Sequence, residues 1–373
     1  MFRRFLAILI KELTQLRRDK STFAMVLAIP VMQVFLFTYA INNDPKHLPT
    51  AVLIRDNSIV VRDLTAAMTN SEYFDLTTRI STDAEGDELL QKGEVYFVLT
   101  IPENFTRDLL SGRKPALLLQ ADASDPSATA NSIGAMSEVI LRSIRRDLTG
   151  SVRSMVNTEM PIDLRIQRCY NPEAMIRYNI VPGLIAVLLT LMGIMMTALS
   201  LTRENERGTM ETMLSMPVRP LEIMAGKIVP NLIVGLIQAA FILIMAIFFF
   251  KVPFLGSWWV FVLSIILFIT GNLAIGYTIS SLAKNQLQAL QMTILVFMPS
   301  LLLSGFIYPF VGMPGWAQAI GNCIPVTYFM RIVRGIMLKG NGLAECWPHI
   351  WPMGIIILIL SIIAVKVYKK TLD

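Results

Sequence analysis

Six apolar stretches of about twenty residues dominate the pattern of hydrophobic and polar positions along this chain. A helix of ~20 apolar residues is long enough to cross the hydrocarbon core of a bilayer. Charged or turn-forming residues flank each stretch. The pattern therefore predicts a polytopic α-helical membrane protein with six transmembrane helices, at residues 22–41, 178–202, 228–250, 257–283, 287–308 and 350–367.

A long polar segment, residues 42–175, separates the first two predicted helices. Short runs of β-branched and aromatic residues alternate in it with stretches of helical periodicity. The predicted strands cover residues 50–54, 95–101 and 116–120, and the predicted helices cover 60–69, 84–91, 103–110 and 129–156. This alternation favours a small α/β domain, and about 130 residues are enough to bury a core of their own.

The distribution of Lys and Arg predicts the orientation. Basic residues precede the first apolar stretch, separate the second from the third and the fourth from the fifth, and follow the sixth. Short loops rich in Lys and Arg stay in the cytoplasm. We therefore expect cytoplasmic termini, with residues 42–175 and the 309–349 loop on the opposite side. That loop weakens the rule, because it carries Arg331, Arg334 and Lys339.

The first twenty residues combine apolar positions at helical spacing with several basic residues. They predict an amphipathic helix that lies on the cytoplasmic membrane surface, although the same charges would also serve as a simple orientation signal. The apolar stretch that follows is too long for a signal peptide, and its basic flank is too extended. An uncleaved membrane anchor is therefore expected.

Composition supports a membrane protein. Charged residues make up 16% of the chain and hydrophobic residues 54%, whereas soluble domains carry about 25% charged residues. The net charge of +6 is unevenly spread. Residues 42–175 hold 14 Lys and Arg against 19 Asp and Glu, a net −5, so the remainder of the chain is +11. Because the basic excess flanks apolar stretches, it indicates contact with the lipid bilayer and not with nucleic acid.

The sequence lacks the motifs of catalysis and of nucleotide binding. Gly226-Lys227 is its one Gly-Lys pair, and the remainder of a phosphate-binding loop is missing around it. No HExxH or GxSxG occurs, and the two histidines are isolated, which makes a metal site improbable. The predicted spans contain no Asp or Glu, which argues against a proton- or sodium-coupled carrier. Pairing of Cys323 with Cys346, in one predicted outward loop, stays open.

The segment after the second apolar stretch, residues 203–227, is the most informative part of the chain. Alternating charges lead into a glycine, a short methionine-rich helix and two prolines. Methionines on a short exposed helix can adapt to a partner's groove, and the alternative is an amphipathic loop packed on the bilayer. The candidate contact residues of this segment are Arg203, Glu204, Glu206, Arg207, Gly208, Thr209, Glu211 and Pro217.

The same segment, TRENERGTMETMLSMPVRPLEIMAGK, resembles that of ABC-2-type transport permeases, especially the bacterial YbhS/YbhR/YhhJ-like group. The resemblance extends over essentially the whole chain. It includes Lys11-Glu12, Tyr170-Asn171-Pro172, Leu303-Ser304-Gly305-Phe306 and Met313-Pro314, in the same order as in the family. One departure is Met213, where the family often has Leu, a swap that preserves packing.

The resemblance implies a type V exporter fold: two six-helix permeases, identical or homologous, above two ATPase subunits that hold ATP and Mg. It implies that residues 1–20 and the 203–227 loop contact the ATPase, and that the candidate contact residues of this loop couple the chain to ATP hydrolysis. It also implies a re-entrant segment at residues 309–322 and an extracytoplasmic gate, for which the candidate residues are Ser304, Gly305, Pro309, Met313, Pro314 and Pro325.

The cargo and the outer partners follow less directly. Apolar spans without a charged cavity favour export of drugs or other amphipathic and hydrophobic compounds across a bacterial inner membrane. Relatives with such ectodomains often work with a periplasmic adaptor and an outer-membrane channel. Two other functions stay open: a secondary transporter or channel, and a membrane scaffold or sensor that binds a ligand with its ectodomain. No cofactor is expected in this chain itself.

Overall fold

The computed structural model describes residues 45–147, 161–173, 175–206 and 220–370. They form a sheet domain, up to residue 173, and a helical domain, from residue 175 onward. The predicted N-terminal helix at 1–20, the first predicted span at 22–41 and residues 207–219 lie outside the described residues.

The sheet domain contains a five-stranded sheet in the order β2-β1-β3-β4-β5. Strand β1 runs parallel to both β2 and β3, β3 is antiparallel to β4, and β4 is parallel to β5. The strands are β1 Leu48–Ile54, β2 Phe74–Arg79, β3 Phe97–Ile101, β4 Ala116–Asp122 and β5 Asp163–Cys169. The predicted α/β character of this region is thereby confirmed.

Helices cover both faces of the sheet. They are α1 Ile59–Asn70, α2 Asp83–Lys92, α3 Phe105–Leu110 and α4 Pro126–Asp147. Helices α1 and α4 pack on one face, where Leu64 and Met136 are fully buried against the sheet. Helix α2 packs on the other face. Its N-terminus is fixed by a reciprocal cap, in which the Thr82 hydroxyl accepts from the Glu85 amide and the Glu85 carboxylate accepts from the Ser81 amide.

Two strands of this sheet are absent from the sequence-based prediction. Both β2 and β5 lie at the edges of the sheet. Phe74 is the one fully buried residue of β2, and most side chains of β5 are exposed. Edge strands of this kind carry polar residues that protect the edge from pairing with other chains. They therefore lack the continuous apolar runs by which the buried strands are recognised.

The helical domain is built from long apolar helices. They are α5 Ile176–Glu206, α6 Pro220–Ile244, α7 Trp258–Leu282, α8 Gln286–Leu303, α9 Gly315–Gly321, α10 Pro325–Arg334 and α11 Leu343–Lys370. A π-helical turn, Met245–Phe249, extends α6, and another, Gly335–Lys339, extends α10. Within the described residues, five helices are long and apolar enough to cross a membrane: α5, α6 with its π-helical turn, α7, α8 and α11.

The region predicted as a loop at 309–349 is mostly helical. It contains α9, α10 and the beginning of α11, which starts at Leu343 and not at residue 350. Helix α8 ends at Leu303, five residues before the predicted end at 308. The stop is set by Gly305, whose φ of 83° is left-handed and suits glycine. Hydrophobicity alone continues through this point, so it does not mark the end of the helix.

Helix α7 forms the centre of the helical domain. It packs against α5, α10 and α11, and Phe268 of α7 stacks on Phe329 of α10 with ring centroids 4.1 Å apart. Helices α5 and α7 are in close contact at Gly276, where a Cβ would lie 2.7 Å from the carbonyl oxygen of Ile194. Small residues permit such contacts between helices in membranes.

Hydroxyl side chains in these helices satisfy their hydrogen bonds locally. Thr190, Thr197, Ser264 and Thr293 each donate to the carbonyl oxygen four residues earlier. This pairing keeps the hydroxyl groups from competing with the backbone in a medium that offers no water. These hydroxyl side chains are thus compatible with a lipid environment.

All five tryptophans lie at one end of the helical domain. They occupy the start of α7, helix α9 and the first turns of α11, at positions 258, 259, 316, 347 and 351. The starts of α7 and α11 are neighbours, because the Ser257 amide donates to the Asn341 carbonyl. Trp258, Trp259, Trp347 and Trp351 are more than half exposed. Exposed tryptophans at helix ends are typical of a membrane–water interface.

Two buried ion pairs connect the sheet domain to the helical domain. Lys339 Nζ lies 2.5 Å from Asp122 Oδ2, and the two side chains are 8% and 6% exposed. Arg334 Nη1 lies 3.4 Å from Asp125 Oδ2, with exposures of 12% and 15%. Lys339 also donates to the carbonyl of Leu90 at the end of α2. These pairs explain why three cations occur in a segment predicted to lie outside: two of them neutralise carboxylates of the sheet domain.

The close contact at Gly276 predicts that adding a single methyl group at this position lowers the stability of the protein. Gly276→Ala should destabilise the protein by about 1–3 kcal/mol, because the neighbouring atoms include backbone that cannot move aside. The measurement is thermal unfolding in mild detergent. Gly354→Ala in α11 is the matched control, since its nearest neighbour would be 4.0 Å away. Equal melting temperatures for the two variants would contradict the packing described here.

The Lys339–Asp122 pair predicts a partner-dependent loss of stability. Lys339→Met should lower the free energy of unfolding by about 3–5 kcal/mol, because it leaves a buried carboxylate without its counter-charge. The double variant Lys339→Met with Asp122→Asn should recover most of that loss in the same unfolding assay. Lys46→Met, which breaks an exposed pair with Glu72, should cost no more than about 1 kcal/mol. A double variant as unstable as Lys339→Met would show that the charge is not the cause.

Candidate functional site at the domain junction and at the start of α8

A cavity of about 400 Å³ lies where the two domains meet. Ligand pockets in proteins have volumes of about 300–1,000 Å³, so this cavity is large enough to hold a small molecule or part of a larger one. The sheet domain contributes the end of α2 and the loops around β3 and β4, and the helical domain contributes the segment from the end of α8 to α11. Charged and aromatic lining residues are Lys92, Glu94, Tyr96, Asp122, Asp125, Phe310, Arg331, Arg334, Lys339 and His349.

The carboxylates deepest in this lining are saturated with partners. Asp122 accepts from Lys339 and from the Ser124 amide. Asp125 accepts from Arg334, from Ser127 and from the side-chain amide of Asn179. Arg334 also donates to the carbonyl oxygen of Gly305. The network thus joins β4, α5, α10 and the end of α8 at one point.

Arg331 is placed differently from the other buried cations. Its guanidinium lies 4.6 Å from the ring centroid of Phe310 and 5.9 Å from that of Tyr328. Among the described residues, no carboxylate forms an ion pair with it. Burial lowers the pKa of Arg331 from its ordinary value and raises the pKa of the nearby Tyr96. An arginine remains charged after such a shift.

Two of the six predicted gate residues line this cavity, and the other four follow them in the chain. Ser304 and Gly305 line it directly. Pro309 and Pro314 precede the short helical turns at Phe310–Gly312 and Gly315–Gly321, and Pro325 is the first residue of α10. Met313 is buried against the end of α8. The structure therefore brings all six residues into one segment, and their role in gating stays a prediction.

Two of the predicted coupling residues, Arg203 and Glu206, lie at the end of α5 and contact Gln286 at the start of α8. The Glu206 carboxylate, at the end of α5, accepts from the backbone amide of Gln286 at 2.8 Å and from its side-chain amide at 2.5 Å. Arg203 donates to the side-chain oxygen of Gln286 at 3.4 Å. Gln286 begins α8, so Glu206 places a negative charge at a helix N-terminus, where it is favourable.

The structure gives no side-chain contact for the remaining coupling residues. Glu204 lies within α5. The part of the chain that contains Arg207, Gly208, Thr209, Glu211 and Pro217 lies outside the described residues. Sequence analysis did not single out Gln286 as a partner of Glu206, because 80 residues separate them.

Other features predicted from the sequence can be compared with the described residues. Within these, no group of three His, Cys, Asp or Glu side chains is placed to hold a metal ion. Cys323 and Cys346 are free thiols, the first exposed and the second buried. The Asp122 and Asp125 contacts were missed, and the signal that pointed towards them was the excess of cations in the 309–349 region.

Helix α8 spans the distance between the two sites. Gln286 at its start contacts Glu206, and Ser304 directly after its end lines the cavity. A helix of 18 residues is about 27 Å long at 1.5 Å per residue, which is close to the thickness of a hydrocarbon core. The helix therefore connects the Glu206 contact to the cavity, with one proline, Pro299, in its interior.

Comparison with known proteins identifies relatives over nearly the full length of the chain. The sequence model of the family described as "ABC-2 family transporter protein" matches residues 20–366. The protein named "Probable multidrug ABC transporter permease YbhS" of Escherichia coli (strain K12) is 31% identical, over 91% of this chain and 90% of its own length. "Inner membrane transport permease YhhJ" of the same organism is 29% identical, over 97% of this chain and 96% of its own length.

A more distant relative has a longer chain. "ABC transporter G family member 20" of Dictyostelium discoideum is 24% identical over 93% of this chain, which spans 48% of that protein. The family match, the near full-length similarity to named permeases and the five apolar helices of the described residues agree with one another. This chain belongs to the ABC-2 family of transporter proteins and is a multi-pass permease subunit of an ABC transporter.

Proposed function

We propose that this chain exports amphipathic or hydrophobic compounds, drugs among them, across a bacterial inner membrane, driven by ATP hydrolysis on a separate ABC ATPase. The observation that carries the mechanism is that one helix, α8, has its start bound to Glu206 and its end at the cavity between the domains. The names of the bacterial relatives, which include multidrug permeases, support the class of cargo.

Energy enters this mechanism from outside the chain. The sequence has no phosphate-binding loop, and the bacterial relatives are named permeases. Membership of an ABC transporter family implies an ABC ATPase partner. ATP and Mg would be held by that ATPase, which would contact the predicted N-terminal helix at 1–20 and the loop at 203–227. ATP-driven closure would move these segments as rigid bodies.

Glu206 is the residue through which movement of the 203–227 loop would reach α8. Glu206 is the last residue of α5, and its carboxylate accepts hydrogen bonds from Gln286, the first residue of α8. A loop displaced by the ATPase would pull on this contact and shift α8 along its axis. Ser304 and Gly305 at the other end would then move relative to the 309–322 segment and to α10, and this movement would open or close the outer cavity.

Topology and assembly complete the proposal. Both termini would lie in the cytoplasm, and the sheet domain would lie on the outer side, because basic residues flank the spans on the opposite side. The transporter would contain a second copy of this chain or a homologous permease. The sheet domain would contact a periplasmic adaptor, and through it an outer-membrane channel.

Co-purification tests the proposed partner. The tagged full-length chain, purified in mild detergent from its native host, should carry an ABC ATPase with it. Replacement of residues 204–216 by a Gly/Ser segment of equal length should remove the ATPase without removing the chain from the membrane. Recovery of the chain alone, in several detergents and after crosslinking, would favour a scaffold or sensor and would overturn the proposal.

Glu206→Ala tests the coupling contact. Loss of the carboxylate removes both bonds to Gln286 and should lower cargo-stimulated ATPase activity about fivefold or more, within the range of coupling energies measured in proteins. Basal ATPase activity and the melting temperature should change little, since the site is exposed. Glu173→Ala, an exposed carboxylate in the sheet domain, is the matched control. Normal stimulation in Glu206→Ala would show that α8 is not driven through this residue.

A further inference from the structure

The cations and carboxylates that line the cavity at the domain junction are not all paired with one another. Four cations and three carboxylates line it. Lys339 and Arg334 occupy Asp122 and Asp125. Lys92 pairs with Glu88, outside the lining, and Glu94 is exposed to solvent. Arg331 is the lining cation without a carboxylate partner in the described part of the chain.

Arg334 supplies a second, independent sign of a missing acceptor. Its two terminal nitrogens donate to Asp125 and to the carbonyl of Gly305. Its Nε atom is buried and has no hydrogen-bond partner among the described residues. A buried donor that is left unsatisfied costs about 1–3 kcal/mol, and more in a charged group. Such a cost is recovered when a ligand brings an acceptor.

The two arginines lie on the same side of α10. They are three residues apart in the chain, which places them on one face of a helix, and both line the cavity. The rings of Phe310 and Tyr328 lie within cation–π distance of the Arg331 guanidinium. These contacts leave its N–H donors available, and a guanidinium presents five of them in a fixed fork. The planar fork matches the two oxygens of a carboxylate or a phosphate.

The rest of the lining suits an apolar body next to that charge. Tyr96, Phe310, Val311 and Met330 present aromatic and aliphatic surface to the cavity. Lining of this composition, with a few placed polar groups, is typical of small-molecule sites. A ligand that satisfied both features would have an anionic oxygen-bearing head and a hydrophobic tail.

We propose that the cavity binds an amphipathic anion, with its carboxylate or phosphate head on Arg331, next to the positive charge of Arg334, and its apolar part against Tyr96, Phe310 and Met330. This inference rests on the proposed function, because it names the class of cargo that would occupy the outer site of the exporter. The same head-group chemistry occurs in free amphiphiles and in anionic lipids. The experiment separates these two sources.

Three probes of equal chain length isolate the contribution of charge. They are octanoate, octanol and octylammonium. The full-length chain is placed in phosphatidylcholine nanodiscs without ATP or ATPase, and binding is measured by calorimetry against empty nanodiscs. Octanoate should bind at least tenfold more tightly than the neutral and the cationic probe, since hydrogen bonds to charged groups contribute about 1.5–3 kcal/mol.

Variants assign the binding to Arg331. Arg331→Gln should weaken octanoate binding about tenfold and leave octanol binding unchanged, whereas Arg331→Lys, which keeps the charge but loses the fork, should be intermediate. Arg177→Gln is the matched control, because Arg177 also lies over a tyrosine ring but is exposed and outside the cavity. The melting temperature of each variant shows whether the fold is retained, and Arg331→Lys carries the test if Arg331→Gln does not fold.

A second set of nanodiscs identifies the source of the head group. If phosphatidylglycerol in the disc abolishes octanoate binding to the normal chain, the site takes a lipid head group, and if it does not, the site takes a free amphiphile. Either result supports an anion site. Equal binding of the three probes, or octanoate binding that is unchanged in both Arg331 variants, would overturn it. Because the assay contains no ATPase, its outcome is independent of whether an ATPase co-purifies with the chain.

Discussion

The pairing of Lys339 with Asp122 is the contact on which the arrangement of the two domains depends. Both side chains are almost completely removed from water, and two such charges are stable only when each has the other at close range. The geometry of the pair is therefore fixed more strictly than that of an apolar contact. Lys339 ends the π-helical turn after α10, and Asp122 ends β4, so the pair sets the position of the sheet against α10.

That constraint determines what else can happen at the junction. With the sheet held on α10, the sheet domain and α10 form one wall of the cavity. In the proposed mechanism, the opposite wall, made of the end of α8 and the segment that follows it, would move. Arg334 touches both walls, since it pairs with Asp125 and donates to Gly305. A shift of α8 would therefore change the environment of Arg334 directly. Cargo binding and helix movement would act on the same side chain.

Part of this arrangement could be predicted from the sequence. The α/β character of the sheet domain was accessible because β1, β3 and β4 are apolar runs buried in the middle of the sheet. The edge strands β2 and β5 could not be predicted, since their exposed positions are polar. The end of α8 depends on the backbone conformation of Gly305 and not on hydrophobicity. Contacts such as Lys339–Asp122 join residues 217 positions apart, and a single sequence contains no information on which distant charges meet.

The grouping of the tryptophans has a spectroscopic consequence. All five lie in the helical domain, around the starts of α7 and α11 and in α9, and the sheet domain contains none. The intrinsic fluorescence of the unmodified protein therefore originates at the end of the helices that faces the sheet domain. Changes in its emission report on that end alone, and rearrangements near Glu206 have to be followed with an introduced fluorophore.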